Sequence, residues 1–156
     1  MGSVISDLNN DSKPDILSLD MLPNDLLDYK TSGQEYPYPI YTQNLKRGYS
    51  PQFMQNTLHL NLGSLEFSEI AQLSGIAATD WSWSVLDADF DLDGYKDLFV
   101  SNGIIGATND LDYINFISNE QIQHQLDEGM DQQDLELIKK IPAKKKANYL
   151  FKNLDG

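Results

Sequence analysis

The stretch "VLDADFDLDGYKDLFV" sets four carboxylates, Asp89, Asp91, Asp93 and Asp97, between two apolar runs. No other feature of the chain restricts its fold so tightly. Two carboxylates ~5 Å apart repel by about 3 kcal/mol at an effective dielectric near 20. The flanks ask for burial, while the aspartates ask for solvent or a cation. A loop joining two strands and wrapped around a cation meets both demands.

A second version of the pattern lies near the start, in "DLNNDSKPDILSLD". Aligned on their first aspartates, the loops read D-x-N-x-D-S-x-x-D (Asp7, Asn9, Asp11, Ser12, Asp15) and D-x-D-x-D-G-x-x-D (Asp89, Asp91, Asp93, Gly94, Asp97). Oxygens at positions 1, 3 and 5, a sharp turn at 6, a backbone carbonyl at 7 (Lys13, Tyr95) and a carboxylate at 9 suit Ca²⁺. That ion takes six to eight hard oxygens at ~2.3–2.6 Å. Mg²⁺ usually uses fewer carboxylates and more water. A transition metal would call for His or Cys. The chain has no cysteine, and neither His59 nor His124 lies near a loop in the sequence. An EF-hand needs a bidentate Glu at position 12 before an exiting helix. Here position 12 is Ser18 or Val100, inside strand-like segments, so these are expected to be loops between strands. Asp, Asn and Gly also build plain turns. Two loops in the same phase, each followed by the same apolar pattern, favour a repeated supersecondary unit instead.

Short strand-like runs dominate the rest: "DILSLDML", "NTLHLNLG", "EFSEIAQL", "WSWSVLDADF" and "DLFVSNG". Between "NTLHLN" and "EFSEIA", Gly63 stands where a tight hairpin needs a positive φ. "NTLHLNLGS" at Asn56 is matched by "NYLFKNLDG" at Asn148, a second repeated pair. The units read as all-β with insertions. Residues 23–55 hold most of the prolines and tyrosines without a sustained period, and are expected to form a long loop with at most one helical turn. Residues 109–146 are expected to be a helical insert and basic linker. Leu111, Ile114, Ile117, Ile122 and Leu126 recur at helical spacing, and Asn109 or Asp110 caps the start. A second helix is expected from Asp131 to Pro142, with Lys139 and Lys140 in its last turn.

The net charge of −13 disfavours nucleic acid and anionic membrane surfaces as partners. It suits cations. No apolar run is long enough for a transmembrane helix, and "MGSVISDLNNDSKPD" has neither a basic n-region nor an apolar h-region. "KKIPAKKK" reads as a helix end and a solvated linker.

The loops with "DILSLD" and "DLFVSNG" behind them, and the segment "NTLHLNLGSLEFSEIAQLSGI", resemble FG-GAP/VCBS repeats, the calcium-loop blades of integrin-α-like β-propellers. "FSEIAQLSGIAATDWSW" is similar to bacterial members found with ASPIC/UnbV-type domains. The departures are Ser12 for Gly, Asn9 for Asp, and the two inserts. The resemblance implies an all-β fold, a partial β-propeller of about two incomplete blades with a helical insert, all 156 residues forming one fragment of it. Opening just before one calcium loop and ending inside a hairpin, the chain is expected to pack against the rest of its own propeller. The implied setting is secreted, cell-surface, or periplasmic and outer-membrane. The implied role is a calcium-binding adhesion module for a protein or glycan ligand. The alternative is the scaffold of a calcium-dependent polysaccharide-degrading enzyme.

No nucleophile motif, phosphate loop or zinc signature appears, so no residue is expected to be catalytic. A cytosolic calcium buffer fits poorly without position-12 glutamates. Trp81, Trp83 and Val85 alternate with Ser82 and Ser84, which predicts a bulky face packed in the core and a small face open to close approach. A sugar platform is the other reading of those tryptophans. Tyr36, Tyr38, Tyr41 and Tyr49 suit a binding rim or packing across a blade equally well.

Overall fold

The computed structural model describes residues 1–32, 37–104, 106, 110–118 and 145–154. The chain divides into two compact units, Met1–Asn24 with Phe53–Gly103 and Lys146–Gly156, and Asp25–Gln52 with Ile104–Lys145. The first unit is all-β. It holds a four-stranded antiparallel sheet in chain order, β1 (Ser3–Ser6), β2 (Asp15–Ser18), β3 (Thr57–Gly63) and β4 (Glu66–Glu69). A three-stranded antiparallel sheet follows, β5 (Ser82–Ala88), β6 (Asp97–Asn102) and β7 (Tyr149–Phe151).

Period-two burial writes the core. Along β2 and just beyond it, Asp15, Leu17 and Leu19 face inward. Leu17 and Leu19 cluster with Leu8, Leu58, Ala71, Ile76 and Ala77, and from the second sheet Val85, Leu98 and Val100. Fully burying a leucine such as Leu17 is worth ~1.5–3 kcal/mol. β1 lies beside β5. A methyl group on Gly2 would stand 2.9 Å from Ser84 Cα and 3.0 Å from the Trp83 carbonyl oxygen, so only glycine permits this approach. The small face predicted at Ser84 is therefore used.

The bulky face is not formed as expected. Ser82 pairs with Asn102 but Ser84 pairs with Ser101, so Trp83 is the extra residue of a bulge. The bulge reverses the alternation. Ser82 is buried, Trp83 is half exposed with its indole N–H donating to the Gly103 carbonyl, and Val85 returns to the core. Trp81 is partly buried.

A buried polar chain runs between the sheets. Asn56 Oδ1 accepts from the Asp20 amide at 2.7 Å, and its Nδ2 donates to the Ile76 carbonyl and to Thr79 Oγ1 at 2.6 Å. Thr79 and Ser82 hydroxyls meet at 2.7 Å, and Ser82 donates to Asn102 Oδ1 at 2.8 Å. Asn102 Nδ2 donates to the Ala147 carbonyl, and its amide donates to Asn148 Oδ1.

In the second unit, residues expected to form a loop contain α1 (Leu26–Thr31) and α2 (Tyr38–Lys46). Asp25 caps α1 by accepting from the Leu27 and Asp28 amides. Neither helix buries a residue, so neither carries the apolar stripe that sequence periodicity detects. The predicted helix after residue 109 begins as α3 (Leu111–Ile117), with Asp110 Oδ1 accepting from the Asp112 and Tyr113 amides. Ile122, Leu126, His124, Asn109, Tyr36 and the helix expected from Asp131 to Pro142 lie outside the described residues. No described helix is long and apolar enough to cross a membrane.

The β3–β4 hairpin turns through Ser64 and Leu65, both at positive φ (54° and 65°), after Gly63 at 85°. The sequence placed the positive φ at Gly63 but not at the two residues that make the turn. Left-handed backbone costs a non-glycine residue about 1 kcal/mol, and Leu65 is 95% exposed, so no burial offsets it. The double substitution Ser64→Asn with Leu65→Gly should stabilise the chain by about 0.5–1 kcal/mol. A urea midpoint that rises at constant m-value is the expected result; an unchanged or lower midpoint would show that the turn is not strained.

Candidate metal sites

Each Asp-rich loop closes a hairpin, β1–β2 or β5–β6, and each returning strand pairs onward with β3 or β7. The loops share one backbone form. Position 4 is left-handed in both (Asn10 φ 59°, Leu92 φ 64°), as is position 6 (Ser12 φ 67°, Gly94 φ 95°). Glycine takes that conformation freely, whereas Ser12 is strained by it.

The carboxylates hold this form through the same bonds. At position 1, Asp7 Oδ1 and Oδ2 accept from the Asp11 and Ser12 amides at 3.0 and 2.8 Å. Asp89 does the same with the Asp93 and Gly94 amides, at 3.1 and 2.9 Å. At position 5, Asp11 and Asp93 accept from the amides of Lys13 and Tyr95, both at 2.9 Å. Asn9 Oδ1 adds a bond from the Asp11 amide. Lys13 and Tyr95, expected as carbonyl donors, thus sit in the matched seventh position of the two loops.

Position 9 is the buried member. Asp15 is wholly buried, with Oδ2 accepting from Leu8 N–H at 3.0 Å and Oδ1 from Asn61 N–H at 2.9 Å. Asp97 is 3% exposed and accepts from Phe90 N–H at 3.1 Å and Asn153 N–H at 2.9 Å. Among the described residues no cationic side chain pairs with either. Asn61 and Asn153 also donate through Nδ2 to the position-8 carbonyls of Pro14 and Lys96. Sequence reasoning passed over these two asparagines. The signal was present, since "NTLHLN" and "NYLFKN" both end on Asn.

In the second loop, one carboxylate oxygen from each of Asp89, Asp91 and Asp97 lies within 4.8 Å of the other two. These three could hold a metal ion. Asp93 stands outside this trio, its Oδ2 3.4 Å from Lys152 Nζ, and the same ammonium bonds Asp91. In the first loop Asn9 occupies the place of Asp91, leaving Asp7 and Asp15 as the matching carboxylates. Asp11 bonds Lys13 Nζ at 2.9 Å. His59 stands in β3 opposite Ile16 and belongs to no such group.

Comparison of the chain with family models, with curated proteins and with solved structures returned no match.

Lys152 holds the Asp91 carboxyl below its ordinary 3.8, first through their hydrogen bond, and Asp91 and then Asp93 raise the Lys152 ammonium above 10.5. Lys13 likewise lowers Asp11. A depressed carboxylate contributes stability above its unfolded value and loses it as pH falls through the folded one. The raised lysine contributes below 10.5 and loses its part as pH rises beyond the folded value. Lys152→Met should therefore move the Asp91 titration midpoint upward toward 3.8, read from the carboxyl carbon shift in NMR. A midpoint indifferent to the substitution would remove Lys152 from the Asp91 environment.

Proposed function

We propose that the chain is a calcium-binding segment of a β-propeller that serves as an adhesion module for a protein or glycan. The observation that carries this reading is the meeting of the Asp89, Asp91 and Asp97 oxygens in a loop whose backbone form is repeated at Asp7–Asp15. Buried carboxylates ordinarily require a counter-charge, and Asp15 and Asp97 have none on a described side chain. A hard dication with many oxygen ligands suits the donor set, which contains no nitrogen or sulfur. Asp89, Asp91, Asp93, Asp97 and the Tyr95 carbonyl would hold one ion. Asp7, Asn9, Asp11, Asp15 and the Lys13 carbonyl would hold another. The backbone amides already on these carboxylates leave lone pairs for a cation, since an ionised carboxylate has about four acceptor positions.

The sheet topology supports the propeller part. A propeller blade is a four-stranded antiparallel sheet, and β1–β2–β3–β4 is such a sheet in simple chain order, with β5–β6–β7 beginning in the same way. The FG-GAP/VCBS resemblance of the loops supplies the adhesion role and the secreted or surface setting.

Calcium should stabilise the chain by mass action, by about 2.7 kcal/mol at a hundredfold excess over the dissociation constant. Thermal melts in CaCl₂ and in EDTA that superimpose would sink the calcium reading. The second loop should hold its ion more tightly, because it gathers more carboxylates and turns at Gly94 rather than at strained Ser12. In calorimetric titration, Asp91→Ala should abolish the tighter event and Asp11→Ala the weaker one; the reverse assignment would overturn the ranking.

A further inference from the structure

We propose that the two Asp-rich loops act as one cooperative unit, so that an ion held by one raises the affinity of the other. This rests on the calcium reading for its ligand but not for its coupling, which is built from hydrogen bonds between protein groups of the two loops.

Three links join the loops. Asn10 Nδ2 donates to the Gly94 carbonyl at 3.0 Å, connecting left-handed position 4 of the first loop to left-handed position 6 of the second. Lys96, at position 8 of the second loop, donates from Nζ to Ser6 Oγ at 2.6 Å, immediately before the first loop begins. Asn153 makes the third. Its amide holds Asp97 Oδ1 and its Nδ2 donates to the Leu8 carbonyl at 2.7 Å. The Leu8 amide in turn holds Asp15 Oδ2. A continuous path therefore runs from the Asp15 carboxylate through the Leu8 backbone, then the Asn153 side chain and its own amide, to the Asp97 carboxylate.

The direction of the coupling follows. An ion that fixes the carboxylates of one loop fixes its peptide groups, and the Gly94 and Leu8 carbonyls among them are the acceptors of two of the linking bonds. The second loop then has less freedom left to lose when its own ion arrives, which is positive cooperativity without a change of shape. The arrangement is asymmetric. Leu92, at position 4 of the second loop, has no side-chain donor to return the bond that Asn10 makes.

Asn10→Gly tests the bond made directly from one loop to the other, because glycine keeps the left-handed backbone while deleting the donor, and Asn10 is not among the proposed ligands. Calcium chloride is titrated calorimetrically into the 156-residue chain, Asn10→Gly, Asp91→Asn and the double variant. Asp91→Asn, which disables the tighter site, should weaken the remaining first-loop event about fivefold in the parent background. It should do so by less than about twofold in the Asn10→Gly background. Equal weakening in both backgrounds, or none in either, overturns the coupling. If the parent takes up no calcium, the calcium reading fails, and amide exchange of the ion-free chain decides the coupling by itself. Asn10→Gly should then speed exchange of the Asp93 and Gly94 amides severalfold, and rates equal to the parent's overturn it.

Discussion

A carboxylate buried at the end of each loop is the contact on which the β unit depends. Asp15 and Asp97 each accept one amide from the start of their own loop and one from just beyond, or late in, the third strand. One side chain thus closes a hairpin loop and sets where β3 or β7 lies against it. Burial makes these bonds strong and makes their loss costly, since an ionised group without partners in the interior is expensive by several kcal/mol. The other loop aspartates have a different part. Asp7, Asp11, Asp89 and Asp93 spend oxygens on amides of their own loop, which shapes the loop without tying it to a distant strand.

This division explains how much of the site could be read from the chain. The spacing of the aspartates is local information, and both loops lie between strands where that spacing placed them. A sharp turn was expected at position 6, and Ser12 and Gly94 are both left-handed there. Asn61, Asn153, Asn10 and Lys152 were not singled out, because their partners are 46, 56, 84 and 61 residues away. Spacing says nothing about such pairs. Asp93 has the spacing of a ligand, yet Asp97 completes the trio with Asp89 and Asp91.

The same logic covers the fold. Strands with one buried face write alternation into the sequence, and β2 was legible for that reason. Helices α1 and α2 bury nothing, so their residues carried no stripe; the Asp25 cap was the one local sign. Trp83 misled because strict alternation assumes an unbroken pleat. The inserted residue at the bulge sends a large ring toward solvent and a serine into the core.

The polar chain from Asn56 through Thr79 and Ser82 to Asn102 has a consequence for how the sheets find each other. Apolar side chains slide past one another at modest expense, since a leucine can exchange one oily neighbour for the next. Hydroxyl and amide groups cannot. A buried donor or acceptor that misses its partner costs about 1–3 kcal/mol, and here Ser82 donates to Asn102 while Asn56 and Ser82 both meet Thr79. The order of bonds also fixes the protons: Asn56 donates to Thr79 and Ser82 donates to Asn102, so Thr79 must be the donor to Ser82. Displacing one sheet against the other would break the Asn56–Thr79 bond and leave buried polar atoms unpaired. The four residues therefore work as a registration key, admitting a single alignment of two surfaces that hydrophobic contact alone would hold in several.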